Sequence, residues 1–357
     1  MQLDISSFFN KITSTYSEQK PFVAYRKPNE ELVNLLVQQT NELVTLTNFK
    51  EEGFVFMPFH TTGKKVIFPK AKCDSFKTTI SQAHTFKLLT VSELIEKSEQ
   101  FEISKEKHLQ LISKTVDFIA ENKAQKIVVS RKEVIRFTQF NMLNSFKKML
   151  QNYKNAFVYV WFHPEIGLWM GATPERLINI KGSNFTTMAL AGTQPFEGAT
   201  DVIWQEKEQQ EQQYVTDFIL ENIKEEVTIS EVKGPYTIKA GSLLHLRTDI
   251  MGQLKEVNLL ENLIKYLHPT PAVCGLPKET AKDFILQNEN YTRSYYSGYL
   301  GELNVNENTQ LFVNLRCMEV KDAKIALYVG GGITKASIPE KEFEETVAKA
   351  MVMKKVL

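Results

Sequence analysis

The sequence predicts an α+β fold whose sheets are largely antiparallel. Apolar runs of strand length come in hairpin-like pairs joined by short turns, and helical runs do not alternate strictly with them. Apolar residues make up 43% of the 357 residues, which is ample for a sizeable core. We therefore expect antiparallel pairing rather than a doubly wound parallel sheet.

The first 125 residues predict a mixture of both element types. After a helical opening, the run 22–25 reads as a strand, and a helix is expected around 30–39. Residues 53–59 predict a strand that ends at a proline. Residues 61–110 are rich in Lys, Ser and Thr, are the least informative part, and would hold any variable segment. Helical periodicity returns over 107–121.

Strands become more frequent from residue 126. Two hairpins are expected, one with strands at 157–162 and 168–170, the other at 177–180 and 185–191. Helices are expected at 140–153 and 205–226, and further strands at 126–131, 237–250, 310–320 and 324–329.

Composition excludes several classes of protein. A net charge of +1 with 24% charged residues gives no electrostatic footprint for nucleic acid or an anionic membrane. The three scattered cysteines indicate a reducing compartment without a disulfide framework. The polar start lacks a signal-peptide core, and no run approaches the roughly 18 apolar residues of a membrane span. These features predict a cytoplasmic protein.

Near the C-terminal end, three glycines, Gly330, Gly331 and Gly332, follow an apolar strand-like run. Glycines at a strand end let the backbone approach a ligand closely and offer N–H groups to an anion. The helix that follows carries Glu342, Glu345 and Lys349 within about 60° of one another. This pattern suits a divalent cation that bridges to an acidic small molecule, and its alternative is a solvated charged face after a tight turn.

A second helix presents Glu208 and Glu211 on one face. Glu211 also lies in line with the apolar stripe, where a carboxylate is costly unless it meets a cation or a donor. Glu211 and Glu345 can together hold one Mg²⁺. The alternative is a first-turn acid that interacts with the helix dipole and reaches solvent. No spacing of His and Cys ligands indicates zinc.

Four further segments carry residues suited to chemistry. Glu175 follows a proline between two strands and is a general acid if buried, or a loop glutamate paired with Arg176 if exposed. Lys126 is the first residue of an apolar strand. It either acts as a base that takes a proton from water, or is a strand-end lysine whose ammonium group reaches solvent (a snorkelling lysine). Arg316 suits bidentate capture of a carboxylate, or a strand-end ion pair. His268 is a further candidate, and its alternative is a turn histidine whose hydrogen bonds are made by the backbone. Gly192-Thr193 is the last candidate, as a place where the backbone can come close to a ligand.

Taken together in chain order, these motifs resemble those of the chorismate-utilising enzymes. The matching segments span residues 115–357, whereas residues 1–114 match loosely and are expected to belong to the same fold. The segments are KIVVSR (126–131), GATPERL (171–177), ALAGT (189–193), EKEQQEQQYV (206–215), HLRTDI (245–250), LHPTPAVCG (267–275), the spaced Glu289, Arg293, Tyr296, Gly298 and Gly301, NLR (314–316), GGGI (330–333) and EFEETVAK (342–349).

The resemblance implies a role for each matching residue. Lys126 is the general base that activates water for attack at C2 of chorismate, and Glu175 is the general acid that protonates the departing C4 hydroxyl. Arg316 holds the enolpyruvyl carboxylate. The implied Mg²⁺ ligands are Glu211 and Glu345, with Glu208 and Glu342 acting through metal-bound water. The other implied substrate-binding residues are Gly192, Thr193, His268, Tyr296, Gly331, Gly332 and Lys349.

The same resemblance implies an overall description. The fold expected is a single domain of two large packed sheets flanked by helices, over residues 1–357. The activity expected is the Mg²⁺-dependent conversion of chorismate to isochorismate, for menaquinone synthesis. A siderophore pathway and a salicylate synthase, which also eliminates pyruvate, are the alternatives. We expect no obligate protein partner and a monomer.

Overall fold

The computed structural model describes residues 1–88, 93–95, 98–256 and 259–357, without the side chains of 93–95 and 98–100. Within these residues two β-sheets pack together and are flanked by helices, which confirms the predicted α+β class. The helices are α1 (Ile5–Ser17), α2 (Ser98–Ala120), α3 (Met142–Asn152), α4 (Glu206–Ile223), α5 (Leu260–Leu267), α6 (Lys278–Asn288) and α7 (Pro339–Lys354).

The first sheet has ten strands in the described residues. They are β1 (Phe22–Arg26), β2 (Leu32–Gln38), β5 (Cys73–Thr79), β6 (Glu93–Ile95), β7 (Lys126–Gln139), β8 (Phe157–His163), β9 (Gly167–Thr173), β14 (Gly275–Leu276), β17 (Cys317–Lys321) and β18 (Lys324–Ile333). Their order is β14-β7-β18-β17-β9-β8-β1-β2-β5, and β6 pairs with β7. The ladders are antiparallel, so β7 and β18 run side by side over the length of β18.

The second sheet has eight strands in the same described part. They are β3 (Gly53–Met57), β4 (Val66–Pro69), β10 (Arg176–Lys181), β11 (Asn184–Pro195), β12 (Val227–Ala240), β13 (Leu243–Leu254), β15 (Tyr299–Val305) and β16 (Asn308–Val313). Their order is β12-β13-β11-β10-β16-β15-β3-β4, again with antiparallel ladders. The chain crosses from the first sheet to the second between β9 and β10, at Pro174-Glu175.

An aromatic cluster fills the space between the two sheets. Phe157, Tyr159 and Trp161 of β8 contact side chains of the second sheet such as Phe56 and Phe312, and all five are buried. Aromatic side chains bury a large area and pack in specific geometries, so this cluster fixes how the sheets face each other. The outer face of the first sheet is covered by α1 and α3, and that of the second by α4 and α5.

Several predicted elements are wrong in type or extent. In place of the helix predicted at 30–39, Leu32–Gln38 form strand β2, because Val33, Leu35 and Val37 are buried in alternation and β2 pairs with β1. The predicted strand at 237–250 is two strands, β12 and β13, and the one at 310–320 is likewise two, β16 and β17. The two hairpins at 157–170 and 177–191 are confirmed.

The least informative segment, residues 61–110, lies partly outside the described residues. Its described part contributes β4, β5, β6 and the start of α2. No helix among the described residues combines the length and the apolar character needed to cross a lipid bilayer.

Candidate active site

Most of the predicted site residues come together in one cavity between the two sheets. The first sheet contributes β7 and β18, the second contributes β11 and β13, and α4 and α7 close one side. The predicted residues that line it are Lys126, Glu175, Gly192, Thr193, Glu211, Tyr296, Arg316, Gly332, Glu345 and Lys349. Four other predicted residues are not among the described residues that line the cavity: Glu208, His268, Gly331 and Glu342.

A larger groove lies elsewhere, between α2 and β7. It is lined by His108, Arg131 and Lys132 among others, and holds neither Lys126 nor Glu175. Size alone therefore does not identify the site here, whereas the convergence of the predicted residues in the smaller cavity does.

Lys126 is the first residue of β7, and its side chain is only 2% exposed. Its ammonium nitrogen lies 3.6 Å from Oε2 of Glu211 on α4. The position is buried because the strand that Lys126 begins is apolar and runs between β14 and β18. Burial in the cavity excludes the alternative of a snorkelling lysine.

Glu175 is 4% exposed, at the point where the chain leaves one sheet for the other. Burial raises the pKa of its carboxyl from 4.5 to about 8, although the charges of Lys126, Arg316 and Lys349 pull it down. Glu175 is thus protonated at neutral pH, as a general acid must be. The alternative of an exposed loop glutamate is excluded by its burial.

Arg316 lies between β16 and β17, with a φ of +47°, in the left-handed region that few non-glycine residues adopt. Its Nη1 donates to the carbonyl oxygen of Ala240 at 2.9 Å, and its Nη2 contacts Nε2 of His245. Because a guanidinium only donates, Nε2 of His245 accepts, and Nδ1 then donates to the carbonyl oxygen of Gly192 at 2.8 Å. Burial and the nearby Arg316 keep the pKa of His245 well below its usual value, so the ring is neutral.

The glycine run is not a loop at a strand end, as the sequence had indicated, but the last part of β18. Gly330, Gly331 and Gly332 pair with Ser130, Val129 and Val128 of β7. The reason for glycine at 332 is a close approach, since an added Cβ would lie 2.7 Å from Cε of Lys126 and 3.1 Å from Oε2 of Glu211.

Gly192 is a second close-approach position, as the sequence predicts. It lies at a bulge of β11, with a φ of +72°, and an added Cβ would meet Cβ of Glu208 at 3.1 Å. The glycine therefore lets β11 pass close to α4. Thr193 follows it along the cavity wall.

The four predicted metal ligands lie on the facing helices α4 and α7. Glu211 and Glu345 line the cavity, and Glu342 is 3% exposed. In Glu208 and Glu342 the Oε2 atom is buried without a hydrogen-bond partner. Carboxylate oxygens are the ligands that Mg²⁺ prefers, and buried oxygens without a hydrogen-bond partner suit the binding of a cation.

Three lysines are paired with these acids. Lys207 of α4 contacts Oε1 of Glu342 and lies 3.8 Å from Oε1 of Glu211. Lys349 lies 2.6 Å from Glu345, and Lys126 lies beside Glu211. With the side chains placed so, no group of three or more His, Cys, Asp or Glu residues in the described chain is arranged to hold a metal ion.

His268 lies outside the cavity wall. Its Nε2 donates to the carbonyl oxygen of Ser297 at 2.9 Å, and its ring packs edge-on against Tyr299. Burial lowers its pKa to about 4. This placement agrees with the alternative of a turn histidine satisfied by the backbone, and a contact of His268 with substrate stays a prediction.

A buried ion pair supports the cavity from behind. Arg293 binds both carboxylate oxygens of Glu289 and donates to the carbonyl oxygen of Val128, while Glu289 accepts from the backbone and hydroxyl of Ser130. These bonds tie β7 to the segment that carries Tyr296, whose ring stacks on Tyr328 of β18, two residues before the glycine run.

Two residues of the site were missed in the sequence. His245 lies in the segment 245–250 noted above, and its position on a buried antiparallel strand opposite Gly192 was the available signal. Lys207 was masked by its charged neighbours, although it stands four residues before Glu211, where an ion pair on one helix face is expected.

The fold and the cavity define a pocket between two antiparallel sheets, lined by lysine, arginine and glutamate side chains. Residues 6–357 match the family model described as chorismate binding enzyme, and the chain belongs to this family. It is 32% identical over 195 residues to the isochorismate synthase DhbC of Bacillus subtilis, covering 52% of this chain and 49% of that protein. It is 29% identical over 262 residues to the isochorismate synthase MenF of the same organism, covering 71% and 55%.

The chain spans about half the length of these two relatives. Among solved structures, the DhbC protein of Bacillus anthracis superimposes with a TM-score of 0.80 at 23% identity, covering 98% of this chain and 99% of that one. At this identity the match establishes the fold alone, and it confirms the expected architecture of two packed sheets.

Proposed function

We propose that this protein is an isochorismate synthase. In the reaction, a water oxygen bonds to C2 of chorismate, the ring double bonds shift, and the C4–O bond breaks. Lys126 takes a proton from the attacking water, and Glu175 gives its proton to the departing hydroxyl, which leaves as water. One water enters and one leaves, so the product is an isomer of the substrate.

The observation that carries this proposal is the pairing of Lys126 with Glu175 in one cavity. Hydroxide is a poor leaving group, so the acid must hold a proton at neutral pH, and burial raises the pKa of Glu175 to about 8. Water is a poor nucleophile, so a base is needed, and Lys126 is a buried amine of the same cavity. Lys126 must give up its ion pair with Glu211 before it can act in this way.

The charges of the cavity suit a dianion. Arg316 presents a guanidinium for the enolpyruvyl carboxylate, and its two observed hydrogen bonds fix the direction of the guanidinium plane. Lys349 is placed by a hydrogen bond of 3.0 Å to the carbonyl oxygen of Gly330 and offers charge to the ring carboxylate. Gly192, Thr193, Tyr296 and the glycine strand complete the proposed binding surface.

We infer that Glu211 and Glu345 hold Mg²⁺, with Glu208 and Glu342 behind them. The bound ion would supply positive charge next to the ring carboxylate. The chain's own contribution is the pair of helices α4 and α7, which carry these four carboxylates. When Lys126 leaves its ion pair with Glu211, the proposed Mg²⁺ would take over the neutralisation of the Glu211 carboxylate.

Chorismate and MgCl₂ with the purified protein, resolved by chromatography, test the proposal. Isochorismate should accumulate to an equilibrium mixture with chorismate, and the same mixture should form from isochorismate. Absence of product above the spontaneous background overturns the proposal. Release of pyruvate with a fluorescent aromatic acid would instead identify the salicylate synthase alternative.

For the pathway we propose menaquinone synthesis. The match to MenF of Bacillus subtilis covers more of this chain than the match to DhbC, although at slightly lower identity. Restoration of menaquinone in a bacterial strain that lacks its own isochorismate synthase for that pathway tests this, and restoration of siderophore alone contradicts it. We expect a cytoplasmic monomer.

A further inference from the structure

Lys207 has no role in the proposed reaction, although it lies among the four glutamates of α4 and α7. These glutamates, which we call the acidic cluster, are Glu208, Glu211, Glu342 and Glu345. It lies in the first turn of α4, and its side chain is 25% exposed. Its ammonium group contacts Glu342 on α7 and lies 3.8 Å from Glu211 on α4, so it bridges the two helices. Lys207 is not among the described residues that line the cavity, so it is not placed to bind the substrate.

Both partners of Lys207 belong to the proposed metal site, Glu211 as a direct ligand and Glu342 through metal-bound water. Glu342 and Glu211 expose only 4% and 11% of their side chains, so their charges require a nearby cation. In the structure the ammonium supplies that charge. A divalent cation bound by Glu211 and neighbouring Glu342 would be repelled by this ammonium, because two positive charges in a partly buried site are poorly screened.

We propose that Lys207 is a resident cation that neutralises the acidic cluster in the metal-free protein and withdraws when Mg²⁺ binds. Its partial exposure gives the long side chain a path to solvent, whereas Lys126 is enclosed. Mg²⁺ must displace this ammonium, so Lys207 lowers the affinity of the site for Mg²⁺. In the absence of Mg²⁺, the ammonium reduces the repulsion between the glutamates. The inference rests on the proposed metal site, and it adds which group neutralises the glutamates before Mg²⁺ binds.

Titration calorimetry with MgCl₂ on the full chain, without chorismate, tests the inference. Lys207→Met keeps the apolar stem and removes the charge, and its Kd for Mg²⁺ should be lower than that of the wild type by at least about fivefold, the lower end of typical coupling between sites. Lys224→Met is the matched control, because Lys224 lies at the other end of the same helix, is exposed, and forms its ion pair with Glu221. Its Kd should equal the wild-type value.

Thermal melting supplies a second measurement that does not depend on activity. Without metal, Lys207→Met should melt below the wild type, since Glu342 is left buried and unpaired. With saturating MgCl₂ the difference should vanish or reverse. If the variant is unfolded without metal, MgCl₂ should restore its melting transition, and Lys207→Arg, which keeps the charge, should behave like the wild type.

The outcomes separate the two proposals. An unchanged or weaker Mg²⁺ affinity of Lys207→Met, with wild-type binding intact, overturns the role of Lys207 and leaves the metal site standing. Failure of both proteins to bind Mg²⁺ overturns the metal site and the inference with it. Binding by the variant but not by the wild type supports both.

Discussion

At the residue scale, the proposed base can be tested by removing one amine. Lys126→Met should lower turnover by about 10²–10⁴-fold, the usual contribution of general acid–base catalysis, because it removes the amine that takes the proton from water in the proposed reaction. Chorismate binding, measured by calorimetry, should remain, since Arg316 and Lys349 are untouched. Lys324→Met, at an exposed site on β18, is the control. Full activity of Lys126→Met would exclude it as the base.

Glu175 predicts a particular dependence on pH. Turnover should fall as the pH rises through about 8, since the acid then loses its proton. The folded chain also retains this proton between pH 4.5 and about 8, where an unfolded glutamate has lost it, so this residue makes stability decline as the pH rises across that window.

Glu175→Gln should abolish turnover and remove that contribution to the decline in stability, because the amide resembles the protonated acid and does not titrate. Chemical unfolding at several pH values, alongside rates, measures both effects. Glu165→Gln, in the exposed turn after β8, should change neither. An active Glu175→Gln variant would remove this carboxyl from the mechanism.

At the element scale, the glycine strand β18 sets the space in which Lys126 works. Gly332→Ala would place a carbon 2.7 Å from Cε of Lys126, which is the flexible end of a side chain, so the lysine should move while the fold persists. We expect turnover to fall at least tenfold with little change in melting temperature. In Gly331→Ala the new carbon meets nothing closer than 3.8 Å, and Lys126 should stay in place. Equal losses of turnover in the two variants would contradict this steric account.

The sequence predicted some elements well because their local pattern agrees with their environment. The helix of Glu208 and Glu211 and the two hairpins at 157–170 and 177–191 have clear periodicity and turns. Strand β2 was mistaken for a helix because apolar residues occur on both of its faces. Val33, Leu35 and Val37 are buried on one face, and Leu36 on the other packs against the cluster between the sheets, which blurs the period of two. The glycine strand was read as a loop because its glycines lack the side chains that identify strands, and only its pairing with β7 reveals it.

Within the site, the sequence identified residues but not their partners. Resemblance placed Lys126, Glu175 and Arg316 in one site, and the cavity contains all three. The neutral state of His245 and the bridging position of Lys207 depend on contacts between elements distant in sequence, such as Glu342 on α7. Burial of Glu175 likewise depends on the crossing between the sheets, which no local pattern encodes.

At the scale of the whole molecule, the site lies where both sheets and two helices meet, so ligands should tie these parts together. Lys126 belongs to the first sheet, Gly192 to the second, Glu211 to α4 and Glu345 to α7. A ligand that binds only the folded chain stabilises it by about 2.7 kcal/mol at a hundredfold excess over its Kd. MgCl₂ should therefore raise the melting temperature, and chorismate should raise it further.

Glu345→Ala should remove most of the increase caused by MgCl₂ and shift the activation of turnover to higher metal concentration, because one of the two direct ligands is lost. Glu344→Ala is the matched control, since Glu344 is the preceding residue of α7 and points to solvent. Melting and rate titrations against MgCl₂ on the same three proteins measure the two effects together. If Glu345→Ala keeps the full metal response, Glu345 is not a direct ligand, and the convergence of α4 and α7 serves the ion pair of Lys207 with Glu342.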